Sequence, residues 1–524
     1  MTTEYKKIPI QINIGITGHR NLDDIGWINS HLEYFCKDLI QQLQGEDSFK
    51  DILTVYSALA DGADQIVAEN LIKNLDANLN AILPMDKTEY KKEFQSKKAQ
   101  LNFEKLIKIS SRIIVEGDST EREEAFLKSG KFIVNNCDIL IALWDGKPAN
   151  GKGGTAEIVS YANEVDKPIF WVNTQDYSAK YLNSSRQFFE VLKKVNEFNS
   201  ERIHKKKLKK EVENYKKFVT KKLNELGPTQ DGWNEYLRDI SPILVKSNML
   251  STKYHNLYYA AGTSIYLLST FAILIASLQI IFFPAFVEII SIEVISIILL
   301  IVVYWLSRKF NWHHKWLSYR SLTENLRIFL FLKLIGKNVP TIITRSDFIL
   351  VNDRVNHNFI KYLDSIINKS KVSLPLNKTK NILSNLIISE QINYHRKKMS
   401  SARLKEKLFS RIGVTLFILT LFSALMHLIH LHGEFINKLF AAFTIGFPTI
   451  GAALTAIKNQ REYKRDLQRS EKMIEKLAQS SEQLKDVNTL SELDNYLFNL
   501  QEILLSEQRN WRFIYKYHEL ETAA

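Results

Sequence analysis

The chain has 524 residues, a formal net charge of +13, two cysteines and a mean hydropathy of −0.16. Two cysteines exclude a disulfide-framed fold, and so low a mean hydropathy excludes a protein that is apolar throughout. The length leaves room for two or three domains. The positive charge is local: ten Lys or Arg fall within 202–222, seven within 396–411 and four within 458–465. Such clusters beside apolar runs report membrane topology and contact with anionic lipid. No zinc spacing, RNA-binding aromatic signature or basic zipper supports a nucleic-acid partner.

Lys6 and Lys7 precede only a short apolar stretch that ends in Gly, His and Arg, which is not the pattern of a secretory signal. The first soluble part is therefore expected in the cytoplasm. Residues 8–16 are nearly all apolar or β-branched, which suits a strand buried on both faces. Similar runs recur at 52–55, 79–83, 112–115, 139–144 and 168–172, with helix-like stretches at 27–43, 64–75, 90–107, 121–135 and 155–164. This alternation predicts a parallel sheet wound with helices on both faces, with a ligand site beyond the carboxyl ends of the strands.

The segments after those strands are rich in glycine and small polar residues. Gly15, Thr17, Gly18, His19 and Arg20 accompany the end of the first strand; Ser57, Ala58, Asp61, Gly62 and Asp64 follow the second; Pro84 follows the third. After the fifth come Asp145 and then Gly153, Gly154, Thr155 and Glu157. Glycines let backbone approach a phosphate, and a helix starting at Thr155 points free N–H groups and its positive dipole end at it. Tight turns also take glycine, and His19 and Asp61 equally suit loop or helix caps. In the binding reading, Gly153, Gly154 and Thr155 hold phosphate, Arg20 and His19 complement its charge, and Asp64 or Glu157 accepts from ribose hydroxyls or a base edge. Neither a dinucleotide fingerprint nor a P-loop is present, because GITGHR lacks the third glycine and GKGGTAE lacks the Lys-Ser/Thr ending.

GITGHR, SALADGADQIVAE, ILPM and DGKPANGKGGTAEIV together resemble the SLOG family over about residues 8–175. That Rossmann-like group includes cytokinin-activating LOG phosphoribohydrolases and nucleotide-sensing domains of bacterial defence systems. LOG enzymes carry a PGGxGTxxE motif. Here no proline leads the glycines, Ile158 stands at the acid's place, and Glu157 comes one position early. One position on a helix is about 100°, so the resemblance implies a binding domain without catalytic residues; Glu157 is the candidate catalytic group if the domain is an enzyme.

Four uncharged apolar runs follow, at 259–283, 294–307, 412–431 and 439–457. A hydrocarbon core of about 30 Å needs about 20 helical residues. The first, third and fourth runs reach that or nearly so, and the second reaches it by taking in 286–293. Basic residues flank both hairpins on their long sides, while the short loops 284–293 and 432–438 carry almost none. The positive-inside rule then puts both hairpin tips outside and both termini in the cytoplasm. His427 and His430 lie on one face of the third run with Ser423 a turn earlier, and polar groups at such depth tend to face a bundle interior or a water path. Gly446, Pro448 and Gly451 permit a kink or close packing in the fourth. Leu490, Leu493, Leu497, Leu500 and Leu504 form one helical stripe, read as core packing or as a self-association surface.

Each hairpin has a polar helix, a span, a short turn, a second span and a basic helix. This arrangement resembles the SLATT family over about 245–520, two-span effector modules associated with SLOG domains and nucleotide-messenger synthases. One long module and a tandem pair both fit. The expectation is a SLOG-like α/β domain at 1–176, a charged helical connector at 177–255, and an all-α transmembrane domain of two hairpins with cytoplasmic helices at 256–395 and 396–524. No HExxH, GxSxG or clustered cysteines appear in the membrane half, and no metal or bound cofactor is expected.

What the resemblance implies is an effector of the bacterial inner membrane in antiphage defence. A nucleotide-derived messenger (a cyclic oligonucleotide, a cyclic ADP-ribose isomer or NAD) binds the cleft. Homo-oligomerisation and membrane disruption or pore opening follow, ending in abortive infection. Its partners are that messenger, the bilayer, further copies of the chain and a separately encoded synthase. The alternative is a membrane-tethered NAD or nucleotide hydrolase of the LOG type using Glu157; a transporter fits less well, there being few spans and no P-loop.

Overall fold

The computed structural model describes residues 12–43, 53–117, 121–148, 153–183, 185–227, 231–337, 360, 363–364, 367, 372–429 and 433–516. Its contacts divide into two units, residues 1–202 with 348–362, and residues 203–347 with 363–524.

In the first unit the alternating pattern folds as β1 (Ile12–Gly18), α1 (Ile25–Gln42), β2 (Leu53–Ser57), α2 (Ala63–Leu75), β3 (Asn78–Leu83), α3 (Lys87–Lys91), α4 (Lys97–Ile109), β4 (Arg112–Val115), α5 (Arg122–Asn136), β5 (Ile139–Trp144), α6 (Thr155–Glu164), β6 (Ile169–Asn173), β7 (Ala179–Leu182) and α7 (Ser185–Ser200). The sheet order is β4-β3-β2-β1-β5-β6-β7, parallel throughout except for β7 on β6. Helices α1, α2, α4 and α7 pack along one face, and α5 and α6 along the other. With both faces covered, Ile139 to Leu143 of β5 are buried in unbroken succession. The edge strand β4 leaves Ile113 and Val115 exposed.

Two features differ from the pattern read along the chain. The helix expected over 90–107 is two helices, because Ser96 accepts from the Ala99 N–H at 3.0 Å and starts α4 afresh. The α/β unit also extends past residue 176, through the antiparallel β7 and the amphipathic α7, to Arg202. Cys36 and Cys137 are free and buried, and burial pushes both thiols up to about 12, so neither is poised to react.

The second unit is helical. Its elements are α8 (Lys205–Glu225), α9 (Asp231–Phe282), a 3-10 turn (Val287–Ile289), α10 (Ile290–Lys309), α11 (Trp312–Leu334), α12 (Leu376–Ile382), a π-helical turn (Leu383–Ile388), α13 (Ser389–Ile429), α14 (Glu434–Arg461), α15 (Tyr463–Lys485) and α16 (Leu490–Lys516). Among the described residues, four stretches are long and apolar enough to cross a membrane: Gly232–Phe282, Val287–Lys309, Leu376–Ile429 and Glu434–Lys485. Their large apolar side chains point outward; Ile280, Ile295, Phe417 and Leu428 are all exposed. An apolar belt of this kind is stable against hydrocarbon and not against water. At 1.5 Å per residue the 52 residues of α9 span about 78 Å, far more than a hydrocarbon core of about 30 Å.

Both hairpins are built alike. In the first, the chain breaks after α10 at Asn311, whose φ is +49°, and α11 folds back along α9. The Trp233 indole donates to the Leu334 carbonyl at 2.8 Å and Ser247 to Tyr319 at 3.0 Å, which makes the pair antiparallel. In the second, the break after α14 falls at Glu462, φ +51°, and α15 folds back along α13. Left-handed backbone at a non-glycine residue is costly, and Glu462 is held there by Arg465 at 2.5 Å and Arg469 at 3.5 Å. Gly446 is buried, with Leu274 of α9 close beside it, where α14 and α9 pack. The α14 helix runs through Pro448 unbroken. Ser423 is buried and His427, one turn on, is half-buried; His430 lies outside the described residues. Leu493, Leu497 and Leu500 pack inward against α15 and α11, whereas Leu490 is exposed.

Candidate functional site

The strand order reverses direction at β1 and β5, which pair side by side while their crossovers depart in opposite directions. Loops leaving such a switch point splay apart and open a crevice at the carboxyl edge of the sheet. The first wall is the turn after β1. The His19 N–H donates to the Leu143 carbonyl of β5 at 3.0 Å, and the His19 carbonyl accepts from the Ala63 N–H at the start of α2, also at 3.0 Å. Gly18 sits where a Cβ would lie 2.4 Å from that of Ala63, so no side chain fits. Gly15 is three residues further back and so faces the other side of the sheet, toward α5, with Cys137 and Ile133 against it; it shapes the packing beneath the crevice. Thr17 is half-buried between the two.

The second wall is the loop 57–62, and here the polar residues serve the loop itself. Ser57 is fully buried and its hydroxyl accepts from the Leu59 N–H at 3.0 Å. Leu59 has a φ of +56° and is likewise buried, held by the Gln65 amide donating to its carbonyl at 3.2 Å. Gly62 has a φ of +84°, and a Cβ there would fall 2.0 Å from the Arg20 carbonyl oxygen, so glycine is required on both counts. Asp64 is 5% exposed and accepts from the Ala60 N–H at 3.4 Å. Burial raises its carboxyl to about 7 against the opposing pull of hydrogen bonds from Ala60, Ser57 and Ala58 and the nearby charge of Arg20. Ala58 and Asp61 are half-buried at the loop surface.

Pro84 is buried after β3, and the Gly117 backbone lies close to its carbonyl. The Arg20 guanidinium stands 5.7 Å over the ring of Phe126 on α5. Gly153, φ +77°, packs its backbone on the same helix, with Phe126 Cβ 2.8 Å and the Glu123 carbonyl 2.9 Å from where a Cβ would be. Arg20, Phe126 and Gly153 are thus drawn together. Phe126 is a residue that sequence reading missed, since nothing marks one phenylalanine of an amphipathic helix as the platform between two distant loops. Behind it Tyr90 is buried, and its hydroxyl has no hydrogen-bond partner among the described residues.

The remaining wall is the β5 loop. The Asp145 N–H donates to His19 Nε2 at 3.2 Å, and Asp145 Oδ1 lies 3.1 Å from the same nitrogen. Burial alone would raise the Asp145 carboxyl, but the Lys147 N–H and His19 together hold it below the usual carboxylate range. Helix α6 starts at Thr155 with Gly154 as an exposed cap that offers no side chain. Glu157, in the first turn, reaches back so that its Oε2 accepts from the Gly153 N–H at 2.6 Å, one residue before the N-cap amide that the acid of a capping box takes. One donor of the glycine turn is therefore committed to Glu157, and the carboxylate is bound to backbone.

Glycine turns and one helix start therefore converge with Arg20 and His19 on one crevice, while Ser57, Asp64 and Glu157 act mainly on the loops they belong to. The arrangement suits recognition of an anionic, hydrogen-bonding small molecule through backbone donors, an arginine and an aromatic face. No family model matches this chain, and no curated protein matches it.

Proposed function

We propose that the α/β domain is a SLOG-type sensor of a nucleotide-derived ligand and that it controls a membrane effector of the SLATT type formed by the two hairpins. The observation that carries the reading is the convergence of Gly18, His19, Arg20, Gly62, Gly153 and Gly154 at the β1/β5 switch point, in a chain that also carries four helices apolar enough to span a bilayer. The capping role of Glu157 supports binding over hydrolysis, because a catalytic carboxylate must be free to meet substrate or water. The positive-inside asymmetry of the loops supports an inner-membrane location with the hairpin tips outside and both termini in the cytoplasm. In this reading a cyclic oligonucleotide, a cyclic ADP-ribose isomer or NAD, made by a separately encoded synthase, promotes homo-oligomerisation. The membrane is then opened or disrupted, and an infected cell is sacrificed.

Moving such a switch from 1:99 to 99:1 takes about 5.5 kcal/mol of differential binding, which a ligand shared between protomers supplies more readily than one set of contacts. The test is to incubate the purified full-length protein with NAD, nucleoside monophosphates and cyclic oligonucleotides and to follow both binding and product. Saturable binding of one of them without turnover, weakened about tenfold or more by Arg20→Ala, is the expected result. Steady turnover abolished by Glu157→Gln would replace the sensor with the hydrolase.

A further inference from the structure

Within the second unit, α9, α11, α13 and α15 surround a cavity of about 360 Å³, set at the foot of the apolar runs. That volume lies in the range of small-molecule sites, about 300–1,000 Å³. Arg320 and Arg327 enter it from α11, Lys398 from α13, and the carboxylates Glu324 and Asp466 lie among them. Arg320 Nη2 is 3.0 Å from Glu324 Oε1, Arg327 pairs with the other oxygen of Glu324, and Lys398 Nζ is 3.0 Å from Asp466 Oδ1. Arg320 also donates to the Tyr394 hydroxyl at 3.2 Å. Three cations thus face two carboxylates, and the Arg461 guanidinium adds positive charge 4.4 Å over the ring of Tyr259, another wall residue.

The rest of the lining is of two kinds. Trp316, Tyr259 and His255 form an aromatic wall, with His255 edge-on to Trp316 at 5.1 Å. Phe331, Ile328, Ile387 and Leu504 form an apolar end that runs on into a recess lined by Leu383, Leu497 and Leu500. A cavity serving packing alone would be filled, since protein interiors reach crystal density. This one is lined by charged side chains that remain partly in solvent: Arg320 is 29% exposed, Arg327 26% and Lys398 26%. Glu324 and Asp466 are more enclosed, 13% and 20% exposed, so an incoming anion meets the solvent-facing N–H groups of the cations, and two guanidinium forks with an ammonium match the three oxygens of a phosphoryl group.

We propose that this cavity is a second ligand site, for a phosphate-bearing amphiphile. The phosphoryl group binds the solvent-facing N–H groups of Arg320, Arg327 and Lys398, and the apolar or ring-bearing remainder lies against Trp316, Phe331 and Ile387. A phospholipid headgroup and a soluble phosphate ester share this chemistry. Two of the walls, α9 and α13, are polar continuations of apolar helices, and the other two, α11 and α15, follow the apolar α10 and α14 across the breaks at Asn311 and Glu462, so occupancy acts directly on how those helices pack. Every residue involved belongs to the second unit, and the inference does not rest on the reading of the α/β crevice.

The experiment uses the full chain in detergent micelles with two probes, dihexanoyl phosphatidic acid and inorganic pyrophosphate, followed by native mass spectrometry and by the Trp316 contribution to fluorescence, taken as the difference from Trp316→Phe. Saturable binding of at least one probe is expected, weakened about tenfold or more by the double substitution Arg327→Gln, Lys398→Gln and unchanged by Arg20→Ala. Binding of phosphatidic acid alone assigns the site to a lipid headgroup; binding of pyrophosphate as well assigns it to a soluble phosphate. Ile387→Trp fills the apolar end without touching a charge and is expected to abolish binding of phosphatidic acid, which keeps the test valid should the charge variant misfold. No saturable binding of either probe, or affinity for phosphatidic acid unaltered in Ile387→Trp, overturns the proposal.

Discussion

Asp64 shows how a residue chosen for its chemistry is used by its own loop. The carboxyl is buried under residues 57–62 and titrates at about 7 rather than 3.8, because burial opposes its charge. Between pH about 4 and 7 the folded carboxyl keeps a proton that the unfolded one has released. Stability is therefore lost as pH rises through that window and levels off above it, by about 4 kcal/mol at most. Asp64→Asn removes this dependence, so the fall in thermal midpoint from pH about 5 to pH about 7.5 should shrink; an unchanged fall would show that another group titrates. Glu157 teaches the same lesson, since its spacing from the glycines was readable but its bond to the Gly153 N–H was not. Residue type and spacing report which groups are near a turn. They do not report whether a carboxylate faces a ligand or closes a ring of backbone donors.

Among the elements, strands of the sheet interior and helices with one buried stripe were legible: β2, β3, β5, β6, α2, α5 and α6 and the described part of β1 lie where alternation and helical spacing put them, while the exposed edge strand β4 was marked by its β-branched run alone. Elements placed by a single contact were not. The break between α3 and α4 depends on one Ser96 cap, and β7 is a four-residue strand too short to show a period, so it is defined by its pairing with β6. The same holds for the two reversals at Asn311 and Glu462, where neither glycine nor proline announces the turn. Asparagine tolerates the left-handed region better than other side chains, and a β-branched one does not. Asn311→Val should therefore lower stability by about 1–2 kcal/mol, read as a drop in thermal midpoint in detergent, whereas Asn311→Gly should not lower it. Equal stability of Val and Gly would show that the reversal relaxes without strain.

For the whole molecule, the functional proposal turns on whether ligand binding changes the membrane. Liposomes carrying the purified protein and an entrapped dye should leak when the ligand found by the binding test is added, and Arg20→Ala should leak only at about tenfold higher ligand or above. Absence of ligand-dependent leakage, with no depolarisation in cells, would count against an effector that permeabilises the bilayer. By itself the sequence determined that a parallel α/β domain precedes four apolar helices arranged as two hairpins, because burial on both sheet faces and the length of a bilayer-spanning helix impose patterns that run along the chain. Only the tertiary structure decided which side chains meet. Arg20 reaches Phe126, His19 reaches Asp145, and Arg320, Lys398 and Asp466 come from three helices to one cavity. Those meetings depend on strand order and on helices folding back upon one another. Both are set by contacts between residues far apart in sequence, and no local period records them.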